Sequence, residues 1–202
     1  SHEALYSIAG GQNVAILFGN YKGSFGNGDL FYSVRTTNGW TMPCNLGGAI
    51  NTDAWESQAS LAPDGKTLFY CTQRAGGHGE EDIWVTVLSS NGWSTPENLG
   101  PVVNTKKGEF RPTMAADGKT LYFASYGHFG FGETDIYVTR KIGDSWQDWS
   151  EPVNLGKYIN TMESDEDLSL PNSGIRAYTV KYNAADGYGD YDIYSFIVPP
   201  AM

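Results

Sequence analysis

The chain is poor in the residues that mark several classes of function. Among 202 residues there are two cysteines, three histidines and no apolar run approaching the ~20 residues of a membrane-spanning helix. Insertion by such a helix is therefore not expected. His2, His78 and His128 lack metal-ligand spacing, which argues against a zinc site. Neither a Gly-x-Ser-x-Gly elbow nor a His-Glu-x-x-His pair occurs. Cys44 and Cys71 fall at different places in different expected strands, which argues against a disulfide between them. Basic residues are scarce, 13 Lys+Arg against 23 Asp+Glu, for a formal charge of −10. Such a surface repels phosphate backbones and anionic headgroups, so nucleic acid and anionic lipid are unexpected partners. No segment sustains a helical period. The chain begins Ser1-His2 rather than Met, as a processed or trimmed polypeptide would.

What the chain does have is a repeat. One unit reads Trp93, Pro96, Asn98-Leu99-Gly100, Asn104-Thr105, Glu109, Asp117-Gly118-Lys119-Thr120-Leu121-Tyr122, Asp135-Ile136-Tyr137. Its echo lies 53 residues upstream: Trp40, Pro43, Asn45-Leu46-Gly47, Asn51-Thr52, Glu56, Asp64-Gly65-Lys66-Thr67-Leu68-Phe69, Asp82-Ile83-Trp84. A later echo runs through Trp149, Pro152, Asn154-Leu155-Gly156, Asn160-Thr161, Asp165, Tyr178 and Asp192-Ile193-Tyr194 after a small insertion. A decayed first copy extends from Glu3 to Asp29-Leu30-Phe31. Repeats near 50 residues, each too small to bury its own faces, imply one domain over residues 1–202, with units at about 3–55, 56–108, 109–164 and 165–202.

Each unit carries strand signals. β-Branched and aromatic residues cluster between Gly, Asp, Asn and Pro punctuation. The first strand follows the recurring acid, the second is Thr67 to Thr72 or Thr120 to Ser125, and the third is Asp82 to Thr86 or Asp135 to Thr139. The fourth is Trp93 to Leu99 or Trp149 to Leu155. The second strands are apolar on both faces and need cover on both sides, which stacked blades supply. The predicted fold is all-β, a β-propeller of four blades with up to four antiparallel strands each. The Asp64-Gly65 and Asp117-Gly118 pairs read as tight turns between first and second strands.

This pattern resembles the WD40-like PD40 β-propeller repeats of the bacterial cell envelope, often joined to OmpA-like domains and related to the propeller of TolB. The resemblance covers nearly the whole chain. It is clearest in copies two and three. Copy one lacks the Asp-Gly-Lys-Thr turn, and copy four departs at Pro171-Asn172-Ser173-Gly174 and ends without a fourth strand. The resemblance implies a periplasmic or outer-membrane-associated module, non-catalytic, as one domain of a longer protein can be, with an envelope protein, peptide or glycan as partner.

Antiparallel strands put the glycine-rich loops (21–28, 75–81, 127–134 and 183–191) on the same rim as the Asn-Thr connections, with the Asp-Gly turns opposite. Phe25, His78, His128, Phe129, Phe131 and Tyr188 lie in those loops, where exposed rings suit stacking on sugar or peptide. Capping of blade edges by the same rings is the favoured reading of these loops. Glu3, Glu56, Glu109 and Asp165 recur once per copy, so a structural role accepting backbone N–H bonds is favoured. The alternative is an acidic ring around the channel, with oxygen ligands for Ca²⁺ as the one conceivable cofactor. Residues that break the repeat are better candidates. Trp55 stands where the later copies have Gly108 and Ser164, and Arg111 stands where the others have Leu5, Gln58 and Asp167. Arg111 and Asp167 are expected to pair between blades. Trp55, Arg111, His78 and His128 are expected to form one binding surface, with Trp55 dispensable for stability. The competing readings are a glycan-active enzyme using acids such as Glu163, Glu166 or Asp186, and a purely structural spacer.

Overall fold

The computed structural model describes residues 3–9, 11, 13–171, 174–182 and 191–198. No helix occurs among them. Four antiparallel sheets follow one another along the chain, arranged as a four-bladed β-propeller. Blade 1 contains β1 (Ala4–Ala9), β2 (Val14–Gly19) and β3 (Asp29–Thr36), with β4 (Gly39–Trp40) and β5 (Cys44–Asn45) both paired to β3. Blade 2 repeats this with β6 (Glu56–Leu61), β7 (Thr67–Thr72), β8 (Asp82–Ser89), β9 (Gly92–Trp93) and β10 (Glu97–Asn98). Blade 3 has β11 (Glu109–Met114), β12 (Thr120–Ser125), β13 (Asp135–Arg140) and β14 (Val153–Asn154). Blade 4 has β15 (Leu168–Ser169), β16 (Arg176–Tyr182) and β17 (Tyr191–Ile197). The fourth strand of blades 1 and 2 is split because Pro43 and Pro96 have no N–H to donate to the ladder.

β7 and β12 are buried at every position, as strands sandwiched between neighbouring blades must be. Ile16 and Leu30 of blade 1 meet Leu61, Leu68 and Tyr70 of blade 2. Phe69, Cys71 and Ile83 on the opposite face of blade 2 meet Leu121, Phe123 and Tyr137 of blade 3. Each such side chain contributes about 1.5–3 kcal/mol when fully buried. Cys71 is a core residue and Cys44 is exposed; both are free thiols.

Polar side chains fasten each blade at the rim. Asn51 accepts the Leu30 N–H (2.8 Å) and donates to the Leu30 carbonyl (2.8 Å), so its amide replaces one residue of a paired strand. Asn104 does the same on Ile83, and Asn160 on Ile136. The first Asn of each Asn-Leu-Gly extends the chain of bonds, and Asn45 and Asn98 donate on to Asp29 and Asp82 at 2.7 Å. These aspartates in turn receive the loop amides of Phe25, Gly26 and Gly79. Between blades, a parallel rung joins the residue before one blade's third strand to the start of the next blade. Glu56 N–H donates to Gly28 C=O (3.1 Å), Glu109 N–H to Glu81 C=O (2.8 Å) and Asp165 N–H to Thr134 C=O (2.8 Å). At the opposite end, Asp64 and Asp117 accept the amides two and three residues on, closing the expected turns. There Gly65 and Gly118 take φ of 69° and 66°.

Candidate binding site

The innermost strands β1, β6, β11 and β15 surround an axial cavity of about 470 Å³, lined among others by Tyr6, Gln58, Arg111, Met114, Asp167 and Tyr178. Each of β1, β6 and β11 carries a register shift at the same repeat position. In blades 2 and 3 this bulge forces Gln58 and Arg111 to positive φ, 47° and 53°, a region that costs a non-glycine residue of order 1–3 kcal/mol. The kink turns both residues toward the axis. The Gln58 side-chain oxygen accepts the Arg111 backbone N–H at 3.0 Å, holding the two bulges in register.

Arg111 Nη1 meets Asp167 Oδ1 at 3.0 Å, as expected, with the two side chains 37% and 48% exposed. A pair so open to solvent contributes about 0–1 kcal/mol and exchanges readily for another partner. Arg111 Nε is buried and has no hydrogen-bond partner among the described residues. Burial pushes the Tyr6 phenol up, opposed by a backbone hydrogen bond from Gln58 and by the Arg111 charge. The cavity thus offers a cation, a carboxylate, an amide and apolar walls within one opening.

The recurring acids are used differently. Glu56 is fully buried and accepts the Thr52 N–H (2.8 Å), the Thr52 hydroxyl (2.6 Å) and the Thr72 hydroxyl (2.9 Å). Glu109 accepts the equivalent groups of Thr105 and the Ser125 hydroxyl, each at 2.8 Å. Asp165 holds the Thr161 N–H and hydroxyl. Burial drives the Glu109 carboxyl up to about 7 against those hydrogen bonds, and raises Asp165 in the same direction. The acidic ring considered from sequence is not formed. Glu3 is exposed, the other three acids are turned into their own blades, and none of the four lines the axial cavity. Among the described residues no group of three or more His, Cys, Asp or Glu could hold a metal ion.

Of the other predicted residues that the structure describes, none lines the cavity. Trp55 packs on Phe18 with ring centroids 5.0 Å apart and lies against Gly28, sealing the junction of blades 1 and 2. The indole is structural as well as partly exposed, which corrects the view that the architecture does not use it. His128 Nε2 lies 2.9 Å from the Val103 carbonyl, with its ring beside Phe123 and Tyr137, so it pins its loop. His78 and Phe129 stand exposed on the rim. Tyr188 and Asp186 lie outside the described residues. The glycines of these loops permit close approach to the next connection. A Cβ on Gly79 would sit 2.1 Å from the Lys107 carbonyl oxygen, and one on Gly132 2.1 Å from that of Glu163.

No family model and no curated protein matches the sequence. Solved structures match it in fold. TolB from Acinetobacter baumannii superposes with a TM-score of 0.61 over 98% of this chain and 41% of its own, at 12% identity. A putative TolB from Agrobacterium tumefaciens superposes with a TM-score of 0.62 over 94% of this chain and 59% of its own, at 17% identity.

The fold is a TolB-like β-propeller.

The chain spans about two fifths and three fifths of the length of those two TolB structures. A prolyl endopeptidase structure also matches, with a TM-score of 0.51, 13% identity and coverage of 92% of this chain and 26% of its own. At such identities the likeness speaks to shape, and TolB-like blades occur in enzymes as well. One residue of this TolB-like propeller escaped the sequence reading. Arg74 stands where the neighbouring copies have Tyr21 and Gly127, the same repeat-breaking signal that marked Arg111. Its guanidinium lies over Tyr70 (5.5 Å) and Trp84 (5.2 Å) and donates to the Ile50 carbonyl.

Proposed function

We propose that the chain is a non-catalytic binding module of the bacterial cell envelope, periplasmic or outer-membrane-associated, which docks a protein, peptide or cell-wall glycan at the axial cavity and its rim. The observation that carries this reading is the cavity wall itself. Arg111, Gln58 and Asp167 break the repeat, Gln58 and Arg111 are held on bulged backbone, and Arg111 and Asp167 form an ion pair loose enough to open for a ligand. Two further features support it. The recurring carboxylates are committed to their own blades, leaving no matched pair of acids among them for hydrolysis, and the TolB likeness fits an envelope setting.

Titration calorimetry with a panel of extended peptides and soluble peptidoglycan fragments tests this, comparing the wild-type chain with Arg111→Ala. Loss of the guanidinium is expected to weaken binding at least about tenfold, with thermal stability changed by no more than about 1 kcal/mol. Equal affinity in the two proteins rejects the cavity as the site. Glycan turnover that disappears in Glu163→Gln or Glu166→Gln would replace the binding reading with an enzymatic one.

A further inference from the structure

The wall of the axial cavity is charged at one place. Of the described residues that line it, Arg111 and Asp167 alone carry charge, and the two charges cancel. An anionic ligand at this pair sets a second negative charge beside Asp167, and a cationic one sets a second positive charge beside Arg111. A neutral ligand leaves the pair as it stands and uses neither charge. A ligand with both charges turns one loose contact into two charge-assisted ones, its carboxylate on the guanidinium and its ammonium on the carboxylate. Arg111 has a donor to spare for this, since its Nε–H lacks an acceptor among the described residues.

The spacing of the pair limits what such a ligand is. Arg111 and Asp167 stand 3.0 Å apart. In a free α-amino acid the ammonium and the carboxylate flank one carbon, within about 3 Å of each other. An extended peptide carries them at opposite ends, roughly 3.3 Å further apart for each added residue. The rest of the wall selects the side chain. Ile8, Tyr178 and Ile193 line the same cavity and are 49%, 41% and 78% exposed. Tyr178 is paired to Ser169, two residues beyond Asp167, so this uncovered apolar surface begins close to the carboxylate.

We infer that the axial cavity takes a second class of ligand, a free α-amino acid with a large apolar side chain such as phenylalanine. Its carboxylate pairs with Arg111, its ammonium with Asp167, and its side chain lies on Ile8, Tyr178 and Ile193. A sugar has no apolar group of that size to offer this wall. A docked partner held through Arg111 is excluded while the amino acid is bound, a consequence that rests on the docking function proposed above.

Titration calorimetry with L-phenylalanine, N-acetyl-phenylalanine, phenylalanine amide and glycine tests it. Phenylalanine is expected to bind at least about tenfold tighter than the other three, which lack the ammonium, the carboxylate and the apolar side chain in turn. Asp167→Asn should abolish the preference over N-acetyl-phenylalanine, and Arg111→Gln the preference over the amide. The pair is open to solvent, so circular dichroism should show both variants folded. No binding of phenylalanine at about 10 mM overturns the inference. So does a blocked form that binds as tightly as phenylalanine, or a preference that survives in both variants. A peptide bound through Arg111 by a chain that ignores phenylalanine refutes the amino-acid site and leaves docking standing. Phenylalanine bound with the expected preferences, by a chain that takes no peptide or glycan, upholds the amino-acid site and refutes docking.

Discussion

Replacing Glu109 by glutamine should flatten the dependence of stability on pH. The Glu109 carboxyl is fully buried and accepts three hydrogen bonds, yet burial carries its pKa from 4.5 up to about 7. The folded state then keeps a proton that the unfolded chain releases. Stability from this group is complete below about pH 4.5 and is lost as pH rises through about 7. At about 1.4 kcal/mol per pKa unit, the shift corresponds to at most ~3.5 kcal/mol across that window. Glutamine is uncharged throughout, keeps a carbonyl to accept the Thr105 N–H, and can donate to the Ser125 hydroxyl. The assay is urea unfolding at about pH 4.5, 6 and 8, comparing midpoints at constant m. Wild type should lose stability over this range more steeply than Glu109→Gln. Some slope should persist in the variant, because Asp165 is raised in the same direction. Parallel profiles for the two proteins would refute the reasoning.

Asn104→Ala should cost about 2–4 kcal/mol in urea unfolding, because it leaves the buried N–H and C=O of Ile83 without partners. Gly79→Ala should cost about 1–3 kcal/mol, since its Cβ would press on the Lys107 and Thr105 carbonyls; hydrogen exchange at the Gly79 amide, now bonded to Asp82, should accelerate. Trp55→Ala should lower the melting temperature through loss of the Phe18 contact, an effect that Phe129→Ala, on the exposed rim, should not share.

Much of this architecture is legible in the sequence because the repeat samples each position several times. Thr67–Thr72 and Thr120–Ser125 coincide with β7 and β12, since strands buried on both faces leave an uninterrupted apolar signature. The fourth strand was harder to place. A single stretch from Trp93 to Leu99 was expected, and the ladder breaks around Pro96 instead. The paired Asn residues read only as turn formers, because composition does not reveal that an amide can stand in for a neighbouring strand. Arg111 was found by its departure from the repeat and does reach the axial cavity. Trp55 departs equally, yet spends its ring on a gap between blades, a choice set by the neighbouring Phe18 and Gly28 rather than by its own position. The positive φ of Gln58 and Arg111 left no mark in sequence, since neither residue type favours that conformation.

The Asn fastenings close inside a single unit, while the backbone rungs close across the boundary to the next. Damage to a fastening should therefore loosen one layer, and damage to a rung should uncouple two layers that each stay intact, as in other nearest-neighbour arrays. Gene duplication of a whole unit would then add a working layer without redesign, whereas an insertion between Asn98 and Asn104 would separate two members of one knot.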